Sequence, residues 1–278
     1  MSRLKKALQR AKEDYPEIQI FNPDGQVASI HDEAEDKPIP LRHEVKIDYT
    51  HTKIQPISHD LLRKSKIFAL FTKFKINDQI KTLRAQVLSS LEKINGNTIM
   101  VTSANPGEGK SFTSINLGVS IAQEMDKTVL IVDADLKNPT KTHFDFAKDF
   151  FNVKVEAGLA DILLGQAELN DVLINPGIEK LTILPGGTCL DNSSELLGSP
   201  RMEMLVKEVK ERYKDRIVIF DTPAVLVGAD TVQLSKFVES VLFVVEEENT
   251  SASDIREAMK LLNEIHMIGM ILNKSKSR

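Results

Sequence analysis

The chain has 278 residues, 41% hydrophobic and 27% charged, an ordinary balance that excludes a collagen-like, silk-like or wholly disordered protein. Its 36 Lys+Arg against 40 Asp+Glu leave a net charge of -4, so attraction to a phosphate backbone does not mark nucleic acid as the partner. The one cysteine, Cys189, cannot close an intrachain disulfide, which fits a reducing compartment, and no run approaches the ~20 apolar residues of a membrane-spanning helix.

The first residues, Met1-Ser2-Arg3-Leu4-Lys5-Lys6, carry no apolar core or small-residue cleavage site. No signal peptide is expected, and the expected location is the cytoplasm, at the inner face of the membrane only through a partner. Residues 2–13 read as a short basic amphipathic helix, with Leu4, Ala7, Leu8 and Ala11 at helical spacing among Arg3, Lys5, Lys6, Arg10 and Lys12. Such a helix can lie on anionic lipid, stay solvated or dock on a partner. Its alanine and leucine face has no aromatic anchor and little burial energy, which favours the solvated or docking reading. Residues 14–57 are rich in breakers (Pro16, Pro23-Asp24-Gly25, Pro38, Pro40, Pro56) and read as a linker with short extended pieces. His31, His43, His51 and His59 are dispersed and lack the tight spacing and further ligands, such as cysteine, that a metal cluster needs, and read as solvated loop histidines.

From residue 59 the pattern orders again. Leu61, Leu62, Ile67, Leu70, Phe71 and Phe74 suggest a helical or near-helical segment, with Arg63, Lys64, Lys66, Lys73 and Lys75 among them. A helix is expected over 77–93, with Ile80, Leu83, Val87, Leu88 and Leu91 on one face. Strands are expected over 98–102, 128–133, 181–184, 217–221, 241–246 and 267–272, and helices over 110–124, 201–213 and 251–265. Near-continuous apolar strands separated by helices predict a mostly parallel sheet covered on both faces. The expected organisation is an N-terminal extension over 1–58, helical and partly disordered, and one α/β domain over 59–278.

Three segments carry chemistry. Ala104-Asn105-Pro106-Gly107-Glu108-Gly109-Lys110-Ser111 follows a predicted strand and opens a predicted helix, the context a P-loop requires. Loop amides and the helix N-terminus suit phosphate oxygens, Lys110 reaches the β- and γ-phosphates, and the Ser111 hydroxyl ligates Mg²⁺. The nucleotide-binding set is therefore Gly107, Glu108, Gly109, Lys110, Ser111 and Phe112. The first glycine of the pattern is replaced by Ala104. Val129-Leu130-Ile131-Val132-Asp133-Ala134-Asp135 sets two carboxylates at the end of a buried strand, and Ile217-Val218-Ile219-Phe220-Asp221 sets a third. Alternation in an extended chain places Asp133 and Asp135 on one face. In a parallel sheet these strand ends share the P-loop's edge, where carboxylates can hold Mg²⁺ or deprotonate a nucleophile.

Taken together, the set resembles the cytoplasmic domain of bacterial tyrosine kinases (BY-kinases), the ATPases of capsule and exopolysaccharide synthesis, within the MinD/ParA superfamily. The resemblance covers about residues 77–275. It includes the P-loop, the Walker A′-like Leu130–Pro139, the Walker B-like Ile219–Pro223, Leu184-Pro185-Gly186-Gly187 with Asn192–Ser199, and Gly269–Asn273. It implies ATP and Mg²⁺ as cofactors, Asp135 and Asp221 supporting the metal, Asp133 as base, and Asn273 at the adenine. Asp78, Lys81 and Arg84 resemble the family's ring-forming Glu-x-x-Arg-x-x-Arg helix, and the implied partner is the cytoplasmic tail of a membrane adaptor or polysaccharide co-polymerase. There are departures. Lys137 stands where the family has arginine, so a point charge replaces a planar fork. The residues after Asn273 contain no tyrosine; the three tyrosines are Tyr15, Tyr49 and Tyr213, the last expected to be packed at the entry to the Walker B strand.

Three readings follow: an ATP-dependent tyrosine kinase acting on itself at unusual sites or on another protein, an ATP-driven assembly switch of the same family without kinase output, and a MinD/ParA-type positioning ATPase. The last asks for a signature lysine at position 105, where this chain has Asn105.

Overall fold

The computed structural model describes residues 19–21, 52–55, 64–70, 75–137, 146–213 and 215–275. The expected basic helix over 2–13, the four linker histidines, Tyr15 and Tyr49 lie outside them.

The long apolar runs become the centre of one sheet. In chain order its strands are β1 (Gln19–Phe21), β2 (Lys53–Ile54), β3 (Thr98–Ser103), β4 (Thr128–Asp133), β5 (Ile174–Asn175), β6 (Leu181–Leu184), β7 (Arg216–Asp221), β8 (Ser240–Glu246) and β9 (His266–Asn273). They lie in the order β1-β9-β8-β3-β7-β4-β6-β5-β2. Every pairing is parallel except β5 with β6. Both edge strands come from the stretch expected as linker: β1 pairs with β9 and β2 with β5.

Strand alternation sorts side chains into two cores. Ile99, Val101, Val129, Ile131, Ile217, Ile219, Leu242 and Val244 point to one face. There they meet Ile115, Leu117, Val119 and Ile121 of α2 (Lys110–Ala122) and Val87, Leu88 and Leu91 of α1 (Lys75–Ile94). Met100, Leu130, Val132, Val218, Phe220, Val241 and Phe243 point to the other. They are covered by Met202, Leu205, Val206 and Val209 of α6 (Pro200–Glu211) and Ile255, Ala258 and Met259 of α8 (Ala252–Leu261). Burial on both faces is why these strands read as unbroken apolar runs. α2 is wedged between sheet and α1, and every residue from Thr113 to Ala122 is buried.

Helix starts follow local chemistry. Ser199 caps α6, its hydroxyl accepting from the Met202 N–H at 3.3 Å, with Pro200 opening the helix. Ser251 caps α8 by accepting from the Asp254 N–H at 3.1 Å. The expected segment after residue 59 is seen as a 3₁₀ turn, Phe68–Leu70, with Ile67 and Ala69 buried against α1 and α2. Among the described residues there are also four short α-helices, α3 (Leu159–Leu164), α4 (Leu169–Val172), α5 (Ser193–Leu197) and α7 (Asp230–Ser235), with a π-helical turn at Phe146–Phe150 and a 3₁₀ turn at Val225–Val227. Among the described residues no helix is long and apolar enough to cross a membrane.

Candidate active site

Because β3, β4 and β7 run parallel, their carboxyl ends open onto one edge of the sheet. β3 leads through residues 104–109 into α2. Gly107 and Gly109 take φ of 81° and 101°, a left-handed region that glycine enters without a Cβ penalty. At Gly109 the approach is also close: a Cβ would lie 1.9 Å from Asn273 Nδ2. That amide donates to the Glu108 carbonyl at 2.8 Å, so Asn273 holds the loop from the last strand.

Glu108 turns its carboxylate inward and is fully buried. The Thr250 hydroxyl donates to its Oε1 at 2.5 Å and the Asn105 N–H to its Oε2 at 3.2 Å. Asn105 Nδ2 donates at 3.0 Å to Asp254 Oδ2, and that bond is the first of those that hold the Asp254 carboxyl below its usual range. The P-loop is therefore fastened to the β8–α8 connection on one side and to β9 on the other. Position 105, which a positioning ATPase would use to reach across a dimer, is here committed within the chain.

The acidic strand ends converge beside this loop. Asp133 and Asp221 are register partners on β4 and β7, and the Ala134 N–H donates to the Asp221 carbonyl at 2.8 Å. Asp221 is buried. The Ser114 hydroxyl donates to its Oδ1 at 2.9 Å, and the Ser111 hydroxyl lies beside it. Burial pushes the Asp221 carboxyl up to about 6, opposed by the Ser111 hydroxyl, Lys110 and Ser114 and reinforced by the charge of Asp135. The Asp135 carboxyl is raised by desolvation in the crowded mouth, with Lys110 pulling it down and Asp230 pushing it up. Its residue surface stays exposed, so this shift is softer than that of Asp221.

Extended-chain alternation does not account for the Asp133–Asp135 pair, as it was expected to. β4 ends at Asp133, whose Oδ1 accepts the Asp135 N–H at 3.1 Å. Past the strand end, where ladder pairing has stopped, this local hydrogen bond ties the Asp133 carboxylate to the Asp135 backbone. Beyond them Lys137 Nζ stands 3.8 Å from Oδ1 of the buried Asp230, whose Oδ2 accepts from the Ser193 hydroxyl at 2.5 Å.

Other nominated residues lie elsewhere. Phe112 lies in the first turn of α2, and its ring packs edge-on against Phe68, centroids 6.1 Å apart. Arg84 Nη1 donates to the Ser120 carbonyl at 2.8 Å and its Nε pairs with Glu124 at 2.8 Å, while Asp78 is exposed on the same helix. Tyr213 is not packed as expected. It is 48% exposed, because α6 ends before it, and its ring carries the Arg216 guanidinium 4.1 Å above the centroid.

Thr250, Asp254, Asp230 and Ser114 were missed by sequence reasoning, and Glu108, expected in the nucleotide-binding set, turns its carboxylate to Thr250. Only Ser114 had a usable signal, since it sits one helical turn after Ser111.

The chain has relatives among known proteins. The family model described as AAA domain matches residues 96–275. The chain is 31% identical over 202 residues to the tyrosine-protein kinase YwqD of Bacillus subtilis, covering 72% of this chain and 81% of YwqD. It is also 31% identical over 198 residues to the tyrosine-protein kinase etk of Escherichia coli, covering 70% of this chain but 26% of etk. It thus spans about a quarter of the length of that longer relative. Among solved structures, the kinase domain of Escherichia coli Etk superposes with a TM-score of 0.68 at 26% identity, covering 81% of this chain and 92% of that domain.

Proposed function

Since this chain belongs to the bacterial tyrosine-kinase family of P-loop ATPases, we propose that it binds MgATP at the carboxyl edge of its sheet and transfers or hydrolyses the γ-phosphate. It acts as a tyrosine-kinase-like ATPase that regulates exopolysaccharide or capsule synthesis and export. The observation that carries this reading is the meeting of Lys110, Ser111 and the buried Asp221 at the mouth of the glycine loop. The donor set suits the cofactor: a hydroxyl and carboxylates are the hard oxygen ligands that Mg²⁺ prefers. Asp221 and Asp135, both with raised carboxyl pKa values, are groups that a cation would return to the charged form.

Ser111, Asp221 and Asp135 hold the metal in this proposal, and when bound it neutralises charge on the phosphate oxygens. The chain's own groups do the rest. Loop amides from Gly107 to Ser111 and the α2 N-terminus bind phosphate oxygens. Lys110 places its ammonium between those oxygens and the carboxylates. Asp133 receives the proton of the acceptor hydroxyl. The partner is the cytoplasmic tail of a membrane adaptor or polysaccharide co-polymerase, which would hold this protein at the inner face of the membrane.

The test follows the γ-phosphate. Protein, labelled ATP and Mg²⁺ are incubated with and without an adaptor tail, beside Lys110→Met. Label on tyrosine, absent from the variant, is the expected result and establishes the kinase. Free phosphate without labelled tyrosine assigns the chain to the switch ATPases of its family. Wild-type turnover by Lys110→Met overturns the site.

A further inference from the structure

The Leu184–Gly187 stretch has no part in nucleotide binding as described above, yet it lies against Asp133. Three sets of bonds fix it there. The Leu159 and Ala160 N–H groups at the start of α3 donate to the Pro185 and Gly186 carbonyls at 2.8 and 2.9 Å. Asp161 of the same helix is buried and grips the loop's far end. Its Oδ2 accepts from the Gly158 N–H at 2.7 Å and the Thr188 N–H at 3.3 Å, and its Oδ1 accepts from the Thr188 hydroxyl at 2.7 Å. Past the loop, the Leu190 N–H donates to the Leu136 carbonyl at 3.0 Å, tying it to the segment that follows Asp133.

The result is a backbone ribbon, held at both ends, that passes Asp133 at Gly186. A Cβ there would stand 3.2 Å from Asp133 Oδ2 and 3.5 Å from Leu136 Cδ2. Gly186 is not one of the positive-φ glycines, so its backbone does not demand glycine. The missing side chain instead leaves room for the Asp133 carboxylate.

We propose that Gly186, fixed by the Asp161 clamp, is a positioning residue for Asp133, and that the 185–188 loop is the wall of the site on the acceptor side. This rests on the reading of Asp133 as the base. In that step the acceptor hydroxyl oxygen bonds the γ-phosphorus, its proton passes to Asp133, and the bond from the γ-phosphorus to the bridging oxygen breaks, leaving ADP. A carboxylate displaced by a few tenths of an ångström meets that proton poorly, and small misplacements of this kind are costly.

Gly186→Ala tests the loop with one methyl group. ADP formation from MgATP and the Kd for a fluorescent ADP are measured for wild type, Gly186→Ala, Asp133→Asn and the double variant. Gly186→Ala is expected to lower kcat by about tenfold with the nucleotide Kd unchanged. In the Asp133→Asn background it should cost no more than about twofold, because coupled groups do not lose independently. Thr188→Val, which removes one clamp bond and adds no bulk, should lower kcat in the same sense. An unchanged kcat in Gly186→Ala, a weakened Kd, or a full additive loss in the double variant each overturns the proposal. Wild-type turnover by Asp133→Asn instead removes the base assignment, and with it the reason for the wall.

Discussion

The Asn273 side chain reaches from the end of β9 to the Glu108 carbonyl, so the last strand of the sheet holds the phosphate loop through a 2.8 Å hydrogen bond. The family resemblance implies an adenine contact for this asparagine, but its Nδ2 is engaged with the protein. Asn273→Ala leaves a loop carbonyl without its donor, a loss of about 1 kcal/mol. The expected outcome is a several-fold weaker Kd for ADP and for GDP alike, measured by titration. A loss confined to ADP would restore the base-contact reading.

Gly109 and Asn273 also limit each other. Alanine at 109 meets both a φ of 101° and a Cβ 1.9 Å from Asn273 Nδ2. Strain of about 1–3 kcal/mol from the backbone alone is expected. The side chain must also leave the Glu108 carbonyl. Gly109→Ala is therefore predicted to lose measurable nucleotide binding while melting within a few degrees of wild type. Gly109→Ala/Asn273→Ala, which removes the collision but not the strain, should recover binding in part.

Asp221 and Asp161 are predicted to tune stability with pH in opposite directions. Asp221, raised to about 6 by burial, holds its proton over a pH range where the unfolded chain, with a carboxyl near ~3.9, has released it. Stability falls as pH rises across that window and levels off above it. In nucleotide-free protein, Asp221→Asn should therefore raise the melting temperature at pH 8 and lose the advantage near pH 4, although it abolishes turnover. Burial works to raise the Asp161 carboxyl as well, but the Thr188 hydroxyl and the Gly158 and Thr188 N–H groups outweigh it and hold it low. Its contribution is present above the unfolded value and disappears as pH falls through the folded one. Asp161→Asn, which turns an amide towards N–H donors, should lower the melting temperature at pH 7 and lose progressively less as pH falls below the unfolded carboxyl value. Parallel melts of the three proteins across this range check both signs.

The sheet's centre and the P-loop were legible because their signals are local. β4 and β6 occupy the expected residues, and β3, β7 and β8 differ by one at an end, since a strand buried on both faces is an unbroken apolar run. The bonds that hold the loop were not legible. Glu108 meets Thr250 across 142 residues of chain and Asn105 meets Asp254 across 149, so no spacing rule connects them. The short helices α3, α4, α5 and α7 have four to six residues, too few for a 3.6-residue period to show. The edge strands β1 and β2 are three and two residues long within a proline-rich stretch, where composition argued for a linker. Asp161 closes the start of α3 beside Gly158, a position where a carboxylate reads as an ordinary cap.

Arg84 separates a stability role from an assembly role on α1. The resemblance groups it with Asp78 and Lys81 as a ring-forming helix, but its guanidinium is held by the Ser120 carbonyl and by Glu124 next to α2. A half-buried arginine with both a carbonyl and a carboxylate partner is worth more than a surface ion pair, about 1–3 kcal/mol. Arg84→Ala is expected to lower the melting temperature by several degrees, as is Glu124→Ala, and the double variant should lose less than the sum. Asp78 is exposed and Lys81 partly so, and truncating either should leave the melting temperature of the monomer unchanged. If rings form, sedimentation should show Asp78→Ala and Lys81→Ala dissociating them at wild-type thermal stability. Dissociation by Arg84→Ala without a thermal loss would mean that the arginine leaves Ser120 and Glu124 to serve a neighbouring copy.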